Sequence, residues 1–276
     1  MEKRRELFSL IDKVAFITGG AGLIGKIICE AYASMGANLI ICDLIDASEL
    51  TEYGLFLQEK YGIQVLTNSL DITDSGAIKE FISSGITCFG KIDTLVHLAA
   101  IDAKFDADID RIPPSSFEDF PFDLWTKSVD VNVNGTFVVI QEMVKAMLKG
   151  EGGNIITVAS TYSLVSPNQN LYREEGREGQ LFKPIDYVAT KSMIPNMTRY
   201  LATFYGRKGI RVNCCVPHGI YNNHAEAFVD RFAHYSPMGR MCSPEEIAGP
   251  FIFLASDASS YMTGSILVVD GGWTAW

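Results

Sequence analysis

Tyr187 and Lys191 bound the run Tyr-Val-Ala-Thr-Lys, which contains no Gly or Pro and reads as helix. Four-residue spacing places both side chains on one helix face, one turn apart. A phenol at its reference pKa of about 10 exchanges protons poorly at neutral pH. A neighbouring ammonium stabilises the phenolate, and lowering the value by ~3 units requires about 4 kcal/mol. The pair therefore suits general acid-base work on a substrate oxygen. Tyr-x-x-x-Lys is also common on helices that only pack at a surface, so the surrounding chain must carry the assignment. Upstream of the pair, Ser160 ends the apolar run Asn154–Ala159.

The stretch Val14-Ala-Phe-Ile-Thr-Gly-Gly-Ala-Gly-Leu-Ile-Gly25 supplies the next element. An apolar, β-branched run breaks into four glycines within seven residues. Gly20, Gly22 and Gly25 fit the G-x-G-x-x-G spacing of a dinucleotide turn between strand and helix. Residues without Cβ allow the tight turn, let a pyrophosphate approach the main chain and pack the new helix on its strand. The helix N-terminus then offers N–H groups and partial positive charge to the phosphates. That helix spans Leu23–Met35 and stops at Gly36, a suitable C′ residue. A buried-strand run, Asn38–Cys42, ends on Asp43, 18 positions past Gly25 and near the roughly 20 expected for a carboxylate on an adenosine ribose diol. A carboxylate there repels the 2′-phosphate of NADP, so NAD is the expected cofactor. An oxidised nicotinamide would add positive charge to that of Lys191 beside the Tyr187 phenol.

Around these residues the chain alternates helix and strand. An acidic helical region over about Ala47–Tyr61 precedes strand Gln64–Leu70, which ends on Asp71. Helix Ser75–Cys88 precedes strand Thr94–Leu98, which runs into Ala99 and Ala100. A long helix over Phe122–Lys149 leads to strand Asn154–Ala159. Helix Tyr187–Tyr205 leads to strand Arg211–Val216, and helix Pro244–Ala255 to strand Ser265–Val269. This alternation specifies an α/β fold: one doubly wound parallel sheet of about seven strands with helices on both faces. Small or polar residues terminate successive strands: Gly19, Asp43, Asp71, Ala99, Ser160 and Pro217. The carboxyl edge of an open parallel sheet forms the ligand crevice, so these six belong to one site. Pro195 lies inside the Tyr187 helix and is expected to kink it beyond the catalytic pair.

At 276 residues and 47% hydrophobic content, the chain can bury the core of one large domain. A net charge of −10 and a pI near 4.9 argue against nucleic acid or an anionic membrane surface as partner. The four His and six Cys show no metal-ligand spacing, and the scattered cysteines fit reduced thiols in the cytoplasm. No signal-peptide pattern precedes the first strand, and no apolar stretch reaches membrane-spanning length.

From about Lys13 to Trp273 the chain resembles the short-chain dehydrogenase/reductase family. The likeness is carried by Thr18-Gly19 with the glycine turn, Leu70-Asp71-Ile72, Asp130-Val-Asn132-Val-Asn-Gly135 and Ile156-Thr-Val-Ala-Ser160. It continues through Tyr187-x-x-x-Lys191, Arg211-Val-Asn213 to Pro217, and Tyr261-Met-Thr-Gly264 to Asp270-Gly-Gly272. The resemblance implies a single Rossmann-like domain and a set of roles. Tyr187 would exchange the alcohol proton, and Lys191 would lower its pKa and bond the nicotinamide ribose. Ser160 would hold the substrate oxygen, and Asn132 a water that continues the proton relay. Gly19, Ala21, Gly22, Leu23 and Ile24 would form the dinucleotide turn, with Asp43 and Leu44 at the ribose. Asp71 and Ile72 would border the adenine, Ala99 and Ala100 would line the cofactor, and Pro217, Gly219 and Ile220 would lie along the nicotinamide. Relatives pair the helices carrying Asn132 and Tyr187, which implies a homodimer or homotetramer.

The sequence departs from the family pattern in places. Leu23 stands where the compact branch carries glycine, and His97-Leu98-Ala99-Ala100 where it carries Asn-Asn-Ala-Gly. Both look like the extended, sugar-nucleotide branch. About sixty residues follow Pro217, too few for that branch's added substrate domain. Pro217-His218-Gly219 replaces the usual Pro-Gly. Ser160 and Tyr187 are 27 positions apart, about twice the family's separation. The extra segment, 167–183, holds Asn168, Asn170, Tyr172, Arg173, Arg177, Gln180 and Lys183. A second insertion, 102–123, is acidic and contains Pro113, Pro114 and Phe117, and 221–235 is expected to form a lid with His224, Arg231 and His234.

Tyr162, Arg173, Arg177 and His224 are the candidates for substrate contact. A polar, hydroxylated or anionic small molecule such as a sugar derivative is expected, with surface or subunit-contact decoration as the other reading of the insertions. The carboxyl third is similar to family members of bacterial surface-sugar or flagellin-modification pathways, which also points to sugars. The resulting expectation is NAD(H)-dependent interconversion of a secondary alcohol and a ketone. An epimerase or dehydratase using NAD transiently, and a catalytically silent NAD-sensing regulator, are the alternatives.

Overall fold

The computed structural model describes residues 6–102, 116–173 and 181–276. Pro113, Pro114, Arg177 and Gln180 therefore lie outside the described residues. Seven strands form one sheet in the order β3-β2-β1-β4-β5-β6-β7, and every neighbouring pair is parallel. The strands are β1 Val14–Thr18, β2 Asn38–Asp43, β3 Val65–Ser69, β4 Thr94–His97, β5 Gly153–Val158, β6 Ile210–Pro217 and β7 Ile266–Val269. Between them run α1 Leu23–Ser34, α2 Ala47–Tyr61, α3 Ser75–Phe89, α4 Phe122–Val129, α5 Thr136–Met147, α6 Ile185–Tyr205, α7 Glu226–Tyr235 and α8 Ala248–Ala255. Strand order reverses at β1, whose neighbours are β2 and β4, and ligand crevices open at such a switch point.

Alternation along each strand divides the core in two. Ala15 and Ile17 of β1, with Leu39 and Ile41 of β2, face a cluster that includes Tyr32 of α1 and Phe251 and Leu254 of α8. Val14, Phe16, Ile40 and Cys42 face the opposite cluster, with Ile78 and Phe81 of α3 and Val139 and Met143 of α5. Helices cover both faces, so residues 14–17 of β1 and 39–42 of β2 read as continuous apolar runs. The buried Tyr32 hydroxyl donates to the Phe251 carbonyl at 3.0 Å.

The expected long helix over Phe122–Lys149 is divided. Between α4 and α5, Asp130–Gly135 forms a π-helical segment, a wider turn that often marks functional positions. Side chains hold it open. Thr136 donates its hydroxyl to the Asn132 carbonyl at 2.7 Å, and the Asn132 amide reaches out of the helix to Ile101. The expected helix Pro244–Ala255 begins as a 3₁₀ turn, Pro244–Ile247, behind a Ser243–Glu246 capping box. Pro195 does not end α6, which continues to Tyr205. Among the described residues no helix is long and apolar enough to cross a membrane, and no cluster of His, Cys, Asp or Glu could hold a metal. All six cysteines are unpaired.

Candidate active site

Gly19, Asp43, Asp71, Ala99, Ser160 and Pro217 all line one cleft at the carboxyl edge of the sheet. At its amino-terminal end the backbone is crowded. Gly19 has φ +69°, and a Cβ there would lie 2.8 Å from the Ala99 nitrogen. A Cβ on Gly25 would lie 2.1 Å from the Gly19 carbonyl oxygen, so α1 can begin this close to β1 only at glycine. No side chain caps α1 at Gly22, and its first turn carries no acid. Gly22, Leu23 and Ile24 face the cleft. A helix N-terminus open to a cleft in this way fits a pyrophosphate.

Asp43 is fixed at the end of β2, where one carboxylate oxygen accepts the Ala21 N–H at 2.8 Å and the other the Leu44 N–H at 2.7 Å. Ala21 therefore acts behind Asp43 and does not line the cleft, while Leu44, Asp71, Ile72, Ala99, Ala100, Gly219 and Ile220 do.

Tyr187, Lys191 and Ser160 meet at the other end of the cleft. The Lys191 ammonium donates to the Val158 carbonyl at 3.1 Å and lies 5.9 Å from the centre of the Tyr187 ring. Burial, followed by the charge of Asp102, raises the Tyr187 pKa above the ordinary phenol value, and the nearby Ser160 hydroxyl opposes that rise only in part. Lys191 is itself pushed down to about 8, because burial penalises its charge. Helical spacing gives proximity, whereas desolvation decides the sign of the shift.

Asn132 is buried and does not line the cleft. Its side chain accepts the Ile101 N–H and donates to the Ile101 carbonyl, both at 2.8 Å, and also donates to Thr190 at 3.1 Å. It thereby ties the chain leaving β4 to the helix that carries Tyr187.

Tyr162 and His224 line the cleft, whereas Arg173 is exposed outside its lining. Several cleft residues lay outside the expected set. Lys183 donates to both carboxylate oxygens of Asp102, 2.7 Å to the first, and its ammonium stands 4.0 Å from the Tyr187 ring centre. Tyr172 and Tyr162 share a hydroxyl–hydroxyl bond of 2.8 Å. Only the crowding of polar residues in 167–183 hinted at these in the sequence.

The two histidines that break the family pattern are structural contacts here. The His97 ring spans from Thr18 to Thr136, 2.9 Å on each side. His218 bonds Thr161 at 2.6 Å, with its ring centre 4.5 Å from that of Trp273. Burial pushes His97 down to about 3 and His218 to about 4, so both are neutral. In the unfolded chain each takes up a proton near its ordinary value of about 6.5. The unfolded state then binds more protons, so stability is complete above about pH 6.5 and is lost as pH falls toward 4 and 3. Urea midpoints that decrease from pH 7 to 5, with a shallower decrease in His218→Asn, are the expected result.

A glycine-rich turn on a switch-point cleft, with Tyr187, Lys191 and Ser160 at its far end, defines a nucleotide-dependent oxidoreductase. The short chain dehydrogenase family matches residues 13–173, the family described as enoyl-(acyl carrier protein) reductase matches residues 178–274, and the chain belongs to the short-chain dehydrogenase/reductase family. It is 32% identical over 274 residues to the 2-dehydro-3-deoxy-D-gluconate 5-dehydrogenase of Pseudoalteromonas atlantica, covering 97% of this chain and 98% of that one. It is 31% identical over 273 residues to a sorbose reductase of Schizosaccharomyces pombe, with the same two coverages of 97% and 98%. The crystal structure of a short-chain type dehydrogenase/reductase from Mycobacterium marinum superimposes with a TM-score of 0.83 at 29% identity, covering 99% of each chain. The first two relatives are named for sugar-like substrates, and none of the three names a surface-sugar pathway.

Proposed function

We propose that the protein is an NAD(H)-dependent dehydrogenase that interconverts a secondary alcohol and a ketone on a polyhydroxylated, sugar-like molecule. The convergence of Tyr187, Lys191 and Ser160 with the open N-terminus of α1 in one cleft carries this reading. Bound NAD would take the hydride from the carbinol carbon. Ser160 would hold the substrate oxygen, Tyr187 would accept its proton, and Lys191 would be the residue to bond the nicotinamide ribose. Asn132 would hold a water that continues the proton relay, while its side chain ties Ile101 to Thr190. Accumulation of NADH absorbance with a panel of polyols and sugars tests the assignment. Turnover without net NADH would favour the transient use of NAD by an epimerase or dehydratase.

NAD is preferred over NADP because Asp43 presents a fixed carboxylate at the end of β2. Asp43→Ala is expected to lower the NAD-to-NADP ratio of kcat/KM by about tenfold or more, measured with one substrate and both cofactors. The exposed Phe122, Phe137, Tyr200 and Phe204 on α4, α5 and α6 suit a homo-oligomer built on these helices. Six unpaired thiols suit the cytoplasm.

A further inference from the structure

We infer that the ion pair between Asp102 and Lys183 is the element that selects the substrate, favouring neutral polyols and ketoses over sugar acids. This rests on the alcohol–ketone reading above. The pair joins the two insertions, since Asp102 opens segment 102–123 and Lys183 closes segment 167–183. It lies in the cleft beside the catalytic phenol, with the ammonium 4.0 Å from the Tyr187 ring centre.

Both partners are held from behind. Asn132 grips the N–H and carbonyl of Ile101, the residue before Asp102. Gln169 accepts the Lys183 N–H at 2.8 Å. The Lys183 side chain is only 8% exposed, whereas that of Asp102, which also lines the cleft, retains 34%.

The charge balance at this end determines what can bind. Among the described residues, the lysines lining the cleft are Lys127, Lys183 and Lys191, and no arginine lines it. Lys127 is exposed on α4, Lys191 bonds Val158, and Lys183 is neutralised by Asp102. Burial pushes His218 down to about 4, leaving it uncharged at neutral pH, and lowers the His224 pKa as well. An incoming carboxylate would meet the Asp102 anion and would have to break the pair to reach Lys183, at the cost of a buried, unpaired charge. A diol meets no such cost. One hydroxyl donates to Asp102, and a second accepts the ammonium hydrogen that the two bonds to Asp102 leave over. The Tyr162 and Tyr172 phenols, which also line the cleft, add donors and acceptors suited to hydroxyls.

The test compares kcat and KM with NAD across three- to six-carbon polyols and the matching aldonates. The wild type is expected to favour the polyols by about tenfold or more, and Asp102→Asn, which frees the Lys183 charge, to move the ratio toward aldonates by about tenfold or more through KM. Lys183→Met should raise KM for polyols without admitting aldonates. Preference of the wild type for aldonates would overturn the inference while leaving the dehydrogenase reading intact. An unchanged ratio in a folded, NAD-binding Asp102→Asn, or an unchanged polyol KM in Lys183→Met, would do the same. If neither class is oxidised although NAD binds, the alcohol–ketone reading fails and this inference fails with it.

Discussion

Tyr187→Phe is expected to lower kcat/KM by about 10³-fold while changing NAD affinity little, as read by NADH absorbance and by fluorescence titration of NAD. Phenylalanine keeps the ring over which Lys183 lies and removes only the group that exchanges the proton. Because burial and Asp102 hold the Tyr187 pKa up, the phenol is protonated in the free protein at neutral pH. Alcohol oxidation needs the deprotonated form and ketone reduction the protonated one. The oxidative rate should therefore climb as pH rises above neutral, while the reductive rate should stay level until pH approaches the raised phenol value. A Tyr187→Phe protein retaining more than about a tenth of wild-type turnover would remove the phenol from the chemistry.

The second large effect is expected at the glycine turn. Gly25→Ala places a Cβ 2.1 Å from the Gly19 carbonyl oxygen, a backbone atom that cannot rotate away. Relief requires α1 to move off the end of β1, which displaces the N–H groups of Leu23 and Ile24 from the cleft. Strain of this kind costs about 1–3 kcal/mol, which lowers Tm by several degrees in a chain of this size. NAD binding should weaken by about 100-fold, because the site depends on the helix end approaching the strand ends. Differential scanning calorimetry and NAD titration measure the two effects separately. Unchanged NAD affinity would mean that the dinucleotide does not lie on this turn.

Much of this architecture could be read from the chain alone, for a physical reason. In a parallel sheet covered on both faces the strands are rich in apolar residues, so a polar or small residue closing such a run suggests where the strand emerges. Gly19, Asp43, Asp71, Ala99, Ser160 and Pro217 each carry that mark, and all six line the cleft. Spacing likewise placed Tyr187 and Lys191 in one site. What could not be read depends on partners distant in sequence. Asp102 and Lys183 are 81 positions apart, and nothing local to either announces the other. The π-helical segment was hidden because the Asn132 bonds that accompany it run to Ile101, far away in sequence. The upward pull of burial and of Asp102 on Tyr187 was not legible either, because both are properties of the folded cleft and not of helical spacing. His97 looked like a departure at the cofactor, and its ring instead spans two buried threonines.

A π-helical segment is geometrically an α-helix with one extra residue, and one residue corresponds to about 100° of rotation about the axis. The faces of α4 and α5 are thus offset by an inserted position between Val129 and Thr136. Deleting one residue there would restore an unbroken helix with its own bonds complete, yet it would swing Asn132 away from Ile101. The residue before Asp102 would then lose its mooring without any change to the sheet, so a shift in substrate choice could arise from a single codon lost outside the insertions.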